Sequence, residues 1–221
     1  MKASRDASYF DNLKENLYSA VISDMLDEIG MRNQTMDSRI RPLTPDMVIV
    51  GRAKTVLVAN SYQAPEVPYK KLIEVLDSTE PGDVFIGALG GSKRSGFFGE
   101  LTSTAMMQAG GRGAVIDGTI RDCKKIIDLG YPVFSIGSRP SDSYGRNEVI
   151  AYDVTVQCGG VIVNPGDLIF GDMDGIVVVP RDVEEEVIEK AFEKVKGENI
   201  VLQKLKEGAK ISEVFAKYNI L

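Results

Sequence analysis

A chain of 221 residues has room for one or two domains and can bury roughly 70% of its extended surface. Its 43% apolar and 26% charged residues are close to the globular average, and a net charge of −6 argues against a partner bound through a nucleic-acid backbone. The chain has no histidine, which excludes a Ser-His-Asp triad, a Cys-His pair and a histidine-ligated zinc.

No stretch approaches 18 consecutive apolar residues, so no membrane partner is expected. The N-terminal residues lack the apolar core of a secretory signal. Two cysteines, Cys123 and Cys158, are too few for a disulfide framework and read as reduced thiols in a cytoplasmic protein.

Taken in chain order, Leu13, Leu17, Val21, Met25 or Leu26, and Ile29 recur at helical spacing and predict one helix over 13–29, stopped by Gly30. Two strands follow at 47–50 and 53–58. A helix at 69–78 turns Leu72, Ile73 and Leu76 inward. Pro81-Gly82-Asp83 launches the apolar run VFIG, and Pro165-Gly166-Asp167 launches LIFG in the same way. The echo reads as a recurrent turn, with an internal repeat as the alternative.

A helix begins near Gly99 and is stopped by Gly110-Gly111. Short strands at 114–116 and 133–136 flank a helix at 122–129, which Gly130 and Pro132 end. Strands at 151–157, 161–163, 168–170 and 176–179 complete the β content. Asp182 and Glu185 make a capping box for a C-terminal helix striped by Val183, Val187, Ala191 and Val195, with a kink at Gly197. A last amphipathic segment spans 211–218. The pattern predicts an α/β fold with a mixed β core and flanking helices, one domain over 1–221 whose residues 182–221 form a C-terminal helical segment.

The densest chemistry lies in GELTSTAMMQAGGRGAVIDGTIRD, residues 99–122. A helix start exposes unpaired N–H groups and a partial positive charge, and the glycine-rich approach GALGGSKRSGFFG lets backbone come close to a ligand. Together they suit a small carboxylate. GGSKRSG lacks the Lys-Ser/Thr ending of a phosphate loop, so nucleotide binding is not expected. Read singly, Asp122 caps a helix and Arg121 pairs with Asp117. Read together, Arg121 offers a planar charged fork, while Asp122 and Glu100 offer hard oxygens suited to Mg²⁺ or Mn²⁺. Such a set can bind a 2-oxo acid and stabilise an enolate.

These residues resemble the RraA-like family, which holds the ribonuclease E activity regulator A proteins and the 4-hydroxy-4-methyl-2-oxoglutarate aldolases. The matching motifs are GELTSTA, GGRGAVIDGTIRD and YPVFSIGSRPSDSYGR, with SDMLDEIG, IRPLTPDMVIVGRAKTV and NPGDLIFGDMDGIVVVPRD on either side. The resemblance spans roughly residues 17–208 and implies a swivelling β/β/α domain assembled as a homotrimer or hexamer, with a cleft between subunits.

By resemblance, Asp122 would be the direct metal ligand and Arg121 would hold the substrate's carboxylate or keto oxygen. Glu100 would hold a metal-bound water, and the backbone of Gly99, Leu101 and Thr102 would receive the pyruvyl carboxylate. Glu198 of a neighbouring subunit would complete the metal site. The implied activity is a divalent-metal-dependent lyase releasing pyruvate from a 4-hydroxy-2-oxo acid, with oxaloacetate decarboxylation as a side activity. A non-catalytic regulator of a ribonuclease or RNA helicase is the alternative, and an acid at position 100 favours catalysis. The family pattern has an acid where this chain has Lys125. Lys125, Arg139 and Arg146 read either as contacts for a distal carboxylate or as solvated surface charge.

Overall fold

A computed structural model describes residues 6–220. The first half of the chain forms α1 (Ala7–Asn16), α2 (Ser19–Glu28), β1 (Arg41–Pro42), β2 (Ile49–Asn60), α3 (Lys70–Asp77), β3 (Asp83–Gly96), α4 (Glu100–Gln108), β4 (Gly113–Ile120) and α5 (Cys123–Leu129). The second half adds β5 (Val133–Ser138), β6 (Asn147–Tyr152), β7 (Val156–Cys158), β8 (Val161–Val163), β9 (Leu168–Asp172), β10 (Gly175–Val179), α6 (Glu184–Lys206) and α7 (Ile211–Tyr218).

Eight strands make one mixed sheet in the order β1-β5-β4-β3-β2-β9-β10, with β6 also on β2. The central pairs β2–β3, β3–β4 and β4–β5 are parallel, while β6, β9 and β10 join antiparallel. Because the central strands are covered on both faces, they read as unbroken apolar runs rather than alternating ones. Val84, Ile86 and Val115 face a core closed by the β7–β8 hairpin, whereas Phe85, Ala114 and Ile116 face α3, α4 and α5. A third core places Phe170, Val177 and Val179 under α1, α2 and α6. The fold is therefore the expected mixed α/β architecture with flanking helices.

Several element boundaries differ from the periodicity. The helix expected over 13–29 is two helices, broken where Leu17 and Tyr18 turn extended. Both halves pack on the same core, so the apolar spacing runs through the break. The strands expected at 47–50 and 53–58 are one strand, β2, because the intervening Arg52 is buried and paired. The strand expected over 151–157 is split between β6 and β7. In α3 Val75 is buried and Ile73 is exposed, so the inward face is rotated from the one expected.

The last helix starts at Glu184 without a side-chain cap, because Val183 N–H first closes a turn onto Pro180 O. Helix α6 runs unbroken through Gly197. A Cβ there would lie 2.5 Å from Ile220 Cδ1, so this glycine makes room for the chain end rather than a kink.

The two Pro-Gly-Asp turns form the same local structure. Asp83 Oδ2 accepts the Glu80 N–H and Asp167 Oδ2 accepts the Asn164 N–H, each at 2.8 Å. They flank β2 on opposite sides, yet β3 leaves its turn parallel to β2 and β9 leaves antiparallel. The same turn thus launches strands of opposite direction on the two sides of β2.

Candidate functional site

The site forms where β3 hands the chain to α4 and β4 hands it to α5. The two crossings are fastened by Arg121 N–H donating to Phe98 O at 2.9 Å. Gly99 lies between them. A Cβ at this position would sit 2.7 Å from Asp122 Oδ2 and 3.1 Å from Arg121 Cγ, so only glycine lets both side chains cross here.

The first turn of α4 presents backbone donors. Ser103 N–H makes the first intrahelical bond, to Gly99 O at 2.9 Å, which leaves the Glu100, Leu101 and Thr102 amides as first-turn donors. Glu100 N–H points at Asp122 Oδ2, 3.2 Å away. The Thr102 hydroxyl accepts the Gly99 N–H and donates to Gly99 O, both at 2.8 Å, which pins the entry to the helix. Leu101 is 81% exposed beside these donors.

Asp122 does not cap its own helix, contrary to the simple reading of its position. Its backbone is left-handed, φ 57°, and its carboxylate turns across to α4. Nor does Arg121 pair with Asp117, which is buried and accepts the Gly159 N–H at 3.2 Å. Arg121 Nη1 instead lies 3.2 Å from Asp142 Oδ1, with Nε 3.8 Å from Asp122 Oδ2.

Sequence reasoning passed over Asp142 and its partner Tyr69. Asp142 lies in the loop Ser141-Asp142-Ser143, which carries no periodicity, and Tyr69 at the start of α3, both outside the central block. Partial burial of Asp142 opposes ionisation, but the Tyr69 hydroxyl, the Ser143 N–H and Arg121 outweigh it and hold the carboxyl below its ordinary value. Burial, then the hydrogen bond to Asp142, push the Tyr69 phenol up to about 12, so it stays a donor at neutral pH.

Lys125 Nζ donates to Glu100 Oε2 at 2.6 Å. The residue that departs from the family pattern therefore neutralises the acid expected to act through water. Arg139 and Arg146 brace the nearby loop instead of standing free. Arg139 Nη1 donates to Lys93 O at 3.1 Å and Arg146 Nη1 to Asp142 O at 2.9 Å.

Gly99, Glu100, Leu101, Thr102, Arg121 and Asp122 thus come together. Glu198 is placed elsewhere in the same chain, on α6, where it accepts the Tyr18 hydroxyl and lies 3.9 Å from Lys194. Among the described residues, no three His, Cys, Asp or Glu side chains are grouped to hold a metal. Mg²⁺ asks for less, because one or two carboxylates with waters and substrate oxygens complete its shell. The half-exposed Asp122 carboxylate beside Glu100 fits that smaller requirement.

An α/β fold with a mixed sheet and a helix N-terminus facing Arg-Asp defines a class, and comparison with known proteins gives it a family. Residues 19–178 match the RraA-like model, described as Aldolase/RraA, and the chain belongs to that family. A Halalkalibacterium halodurans protein named "Putative 4-hydroxy-4-methyl-2-oxoglutarate aldolase" is 35% identical over 173 residues, covering 78% of this chain and 77% of that one.

Among solved structures, Streptomyces coelicolor RraAS2, described as an unusual member of the RNase ES inhibitor RraA protein family, is 31% identical. It superposes with a TM-score of 0.75 over 88% of this chain and 96% of its own. A structure described under novel cellulases from gut-associated microbes reaches 0.84 at 26% identity, covering 90% and 89%. An aldolase, a ribonuclease inhibitor and a cellulase are thus named on one fold, so function has to be argued from the site. Among the described residues no helix is long and apolar enough to cross a membrane.

Proposed function

We propose that this protein is a divalent-metal-dependent lyase that cleaves a 4-hydroxy-2-oxo acid, such as 4-hydroxy-4-methyl-2-oxoglutarate, to pyruvate. Oxaloacetate decarboxylation is its side activity. The observation that carries this reading is the meeting of Arg121 and Asp122 with the first turn of α4 across Gly99.

The Leu101 and Thr102 amides would receive the pyruvyl carboxylate at the positive end of α4. Arg121 would face the keto oxygen with N–H groups that Asp142 leaves open. A base such as an ordered water takes the 4-hydroxyl proton, the freed oxygen pair closes the C4 carbonyl as the C3–C4 bond breaks, and that bond's pair passes to pyruvate enolate, which is then protonated at C3. Charge gathers on the enolate oxygen in that step, where the permanently charged guanidinium is worth most.

Asp122, with Glu100 acting through water and Glu198 of a neighbouring subunit, would hold Mg²⁺ or Mn²⁺, which supplies Lewis-acid polarisation of the keto and carboxylate oxygens. The assembly that goes with this reading is the homotrimer or hexamer implied by the family resemblance.

The test is pyruvate release from 4-hydroxy-4-methyl-2-oxoglutarate and oxaloacetate by purified protein with Mg²⁺ or Mn²⁺, abolished by EDTA. Silence with both substrates and both metals rejects the lyase. The likeness to RraAS2 would then favour a non-catalytic regulator that binds a ribonuclease or RNA helicase.

A further inference from the structure

Arg121 is held from behind by residues that none of the foregoing roles employs. Its Nη1 meets Asp142 Oδ1, and Asp142 is itself fixed at three points. Ser143 N–H donates to Oδ1 at 2.7 Å, the Tyr69 hydroxyl donates to Oδ2, and Arg146 Nη1 binds the Asp142 carbonyl at 2.9 Å. The contributing elements are far apart in the chain. Tyr69 opens α3 from a left-handed backbone, φ 57°, and Asp142 lies in the loop between β5 and β6. That loop is tied to the site's own strands by Gly96 N–H on Ser141 O and Arg139 N–H on Ile120 O, both 2.8 Å.

Stability does not account for this convergence. Arg121 and Asp142 are each more than a third exposed, and pairs of that kind contribute little to folding. Long charged side chains are costly to order, whereas an arginine already oriented meets developing charge without reorganising.

We propose that Asp142 and Tyr69 are positioning residues for Arg121. Tyr69 locks Asp142, whose Oδ1 lies 3.2 Å from Nη1, and the attraction between the two charges keeps the Arg121 side chain across Gly99, facing the substrate. This rests on the lyase reading for its kinetic consequence but not for its geometry.

The experiment combines Tyr69→Phe and Asp142→Asn, each in the wild-type and in the Arg121→Lys background. It adds a ¹⁵N NMR observation of the Arg121 Nε–H group, assigned by its loss in Arg121→Lys. Misplacing a catalytic group by an ångström costs up to about a hundredfold, so kcat should fall about tenfold for Tyr69→Phe and more for Asp142→Asn, with KM little changed. Asp142→Glu should recover part of the loss.

In the Arg121→Lys background neither change should lower kcat beyond about twofold, because a residue acting only through Arg121 has nothing left to position. The Arg121 Nε–H signal should exchange faster with water in both variants. Equal losses in the two backgrounds, or an unchanged Nε–H signal in Asp142→Asn, overturn the proposal. If the wild type turns over no oxo acid, the lyase reading fails and the NMR comparison alone decides the positioning role.

Discussion

Two arginines in this protein carry the same company, a carboxylate and a tyrosine, and serve opposite ends. Arg52 sits in the core at 1% exposure, with both terminal nitrogens on Glu184, and Tyr9 donates to the same carboxylate at 2.8 Å. The Phe10 ring lies 5.5 Å from its guanidinium carbon. Arg121 has partners of the same kinds at the surface, where its Nη1 lies 3.2 Å from Asp142 Oδ1 and its side chain stays about a third exposed. The buried set joins β2 to the start of α6 and to α1, so it belongs to the architecture. The half-open set keeps donors in reserve, and that reserve is what a ligand could use. Chemical identity of a cluster therefore says less than how many of its valences are already spent.

The comparison breaks most sharply under mutation of the carboxylates. Glu184→Ala takes the carboxylate away from the buried Arg52 guanidinium and should cost about 3–5 kcal/mol in denaturant unfolding. Asp142→Asn should cost about 1 kcal/mol or less. Similar costs for the two would end the distinction. Next in size, Arg121→Ala and Asp122→Asn should each reduce pyruvate release by about 10²- to 10³-fold, with unfolding midpoints little moved, since asparagine keeps the left-handed backbone of position 122. Activity that survives both removes these residues from the site.

The smallest effect sharpens the picture at Lys125, whose ammonium competes for Glu100. Lys125→Ala should lower the Mg²⁺ concentration for half-maximal activity by about two- to fivefold, and the change should shrink at high salt. An unchanged metal requirement would mean that Glu100 takes no part in holding the ion.

Local chemistry was legible in the sequence and distant chemistry was not. The cluster over 99–122 could be read because its helix start, buried strand and Arg-Asp pair follow one another along the chain. Asp142 and Tyr69 could not, because a loop and a helix start are brought to Arg121 only by the sheet order. Periodicity failed for a related reason at Arg52. A charge inside an apolar run reads as a boundary unless its partner is known, and Glu184 lies far along the chain. The break at Leu17 and Tyr18 was hidden for the converse reason, since two helices on one core share a single stripe. Lys125 could be flagged from sequence as a departure, but only geometry gave it a partner.

The left-handed backbone of Asp122 also constrains how this family member can change. That conformation tolerates Asn, Asp and Gly better than other residues, which are disfavoured there by roughly 1–2 kcal/mol. A glutamate would keep the charge at the expense of the backbone, whereas Asp122→Asn keeps the backbone and discards the charge. The conservative step for the fold is thus the disabling step for the proposed chemistry. One nucleotide change separates an aspartate from an asparagine codon, so a catalyst of the kind proposed would lie a single mutation from an intact, silent scaffold free to take up binding duties.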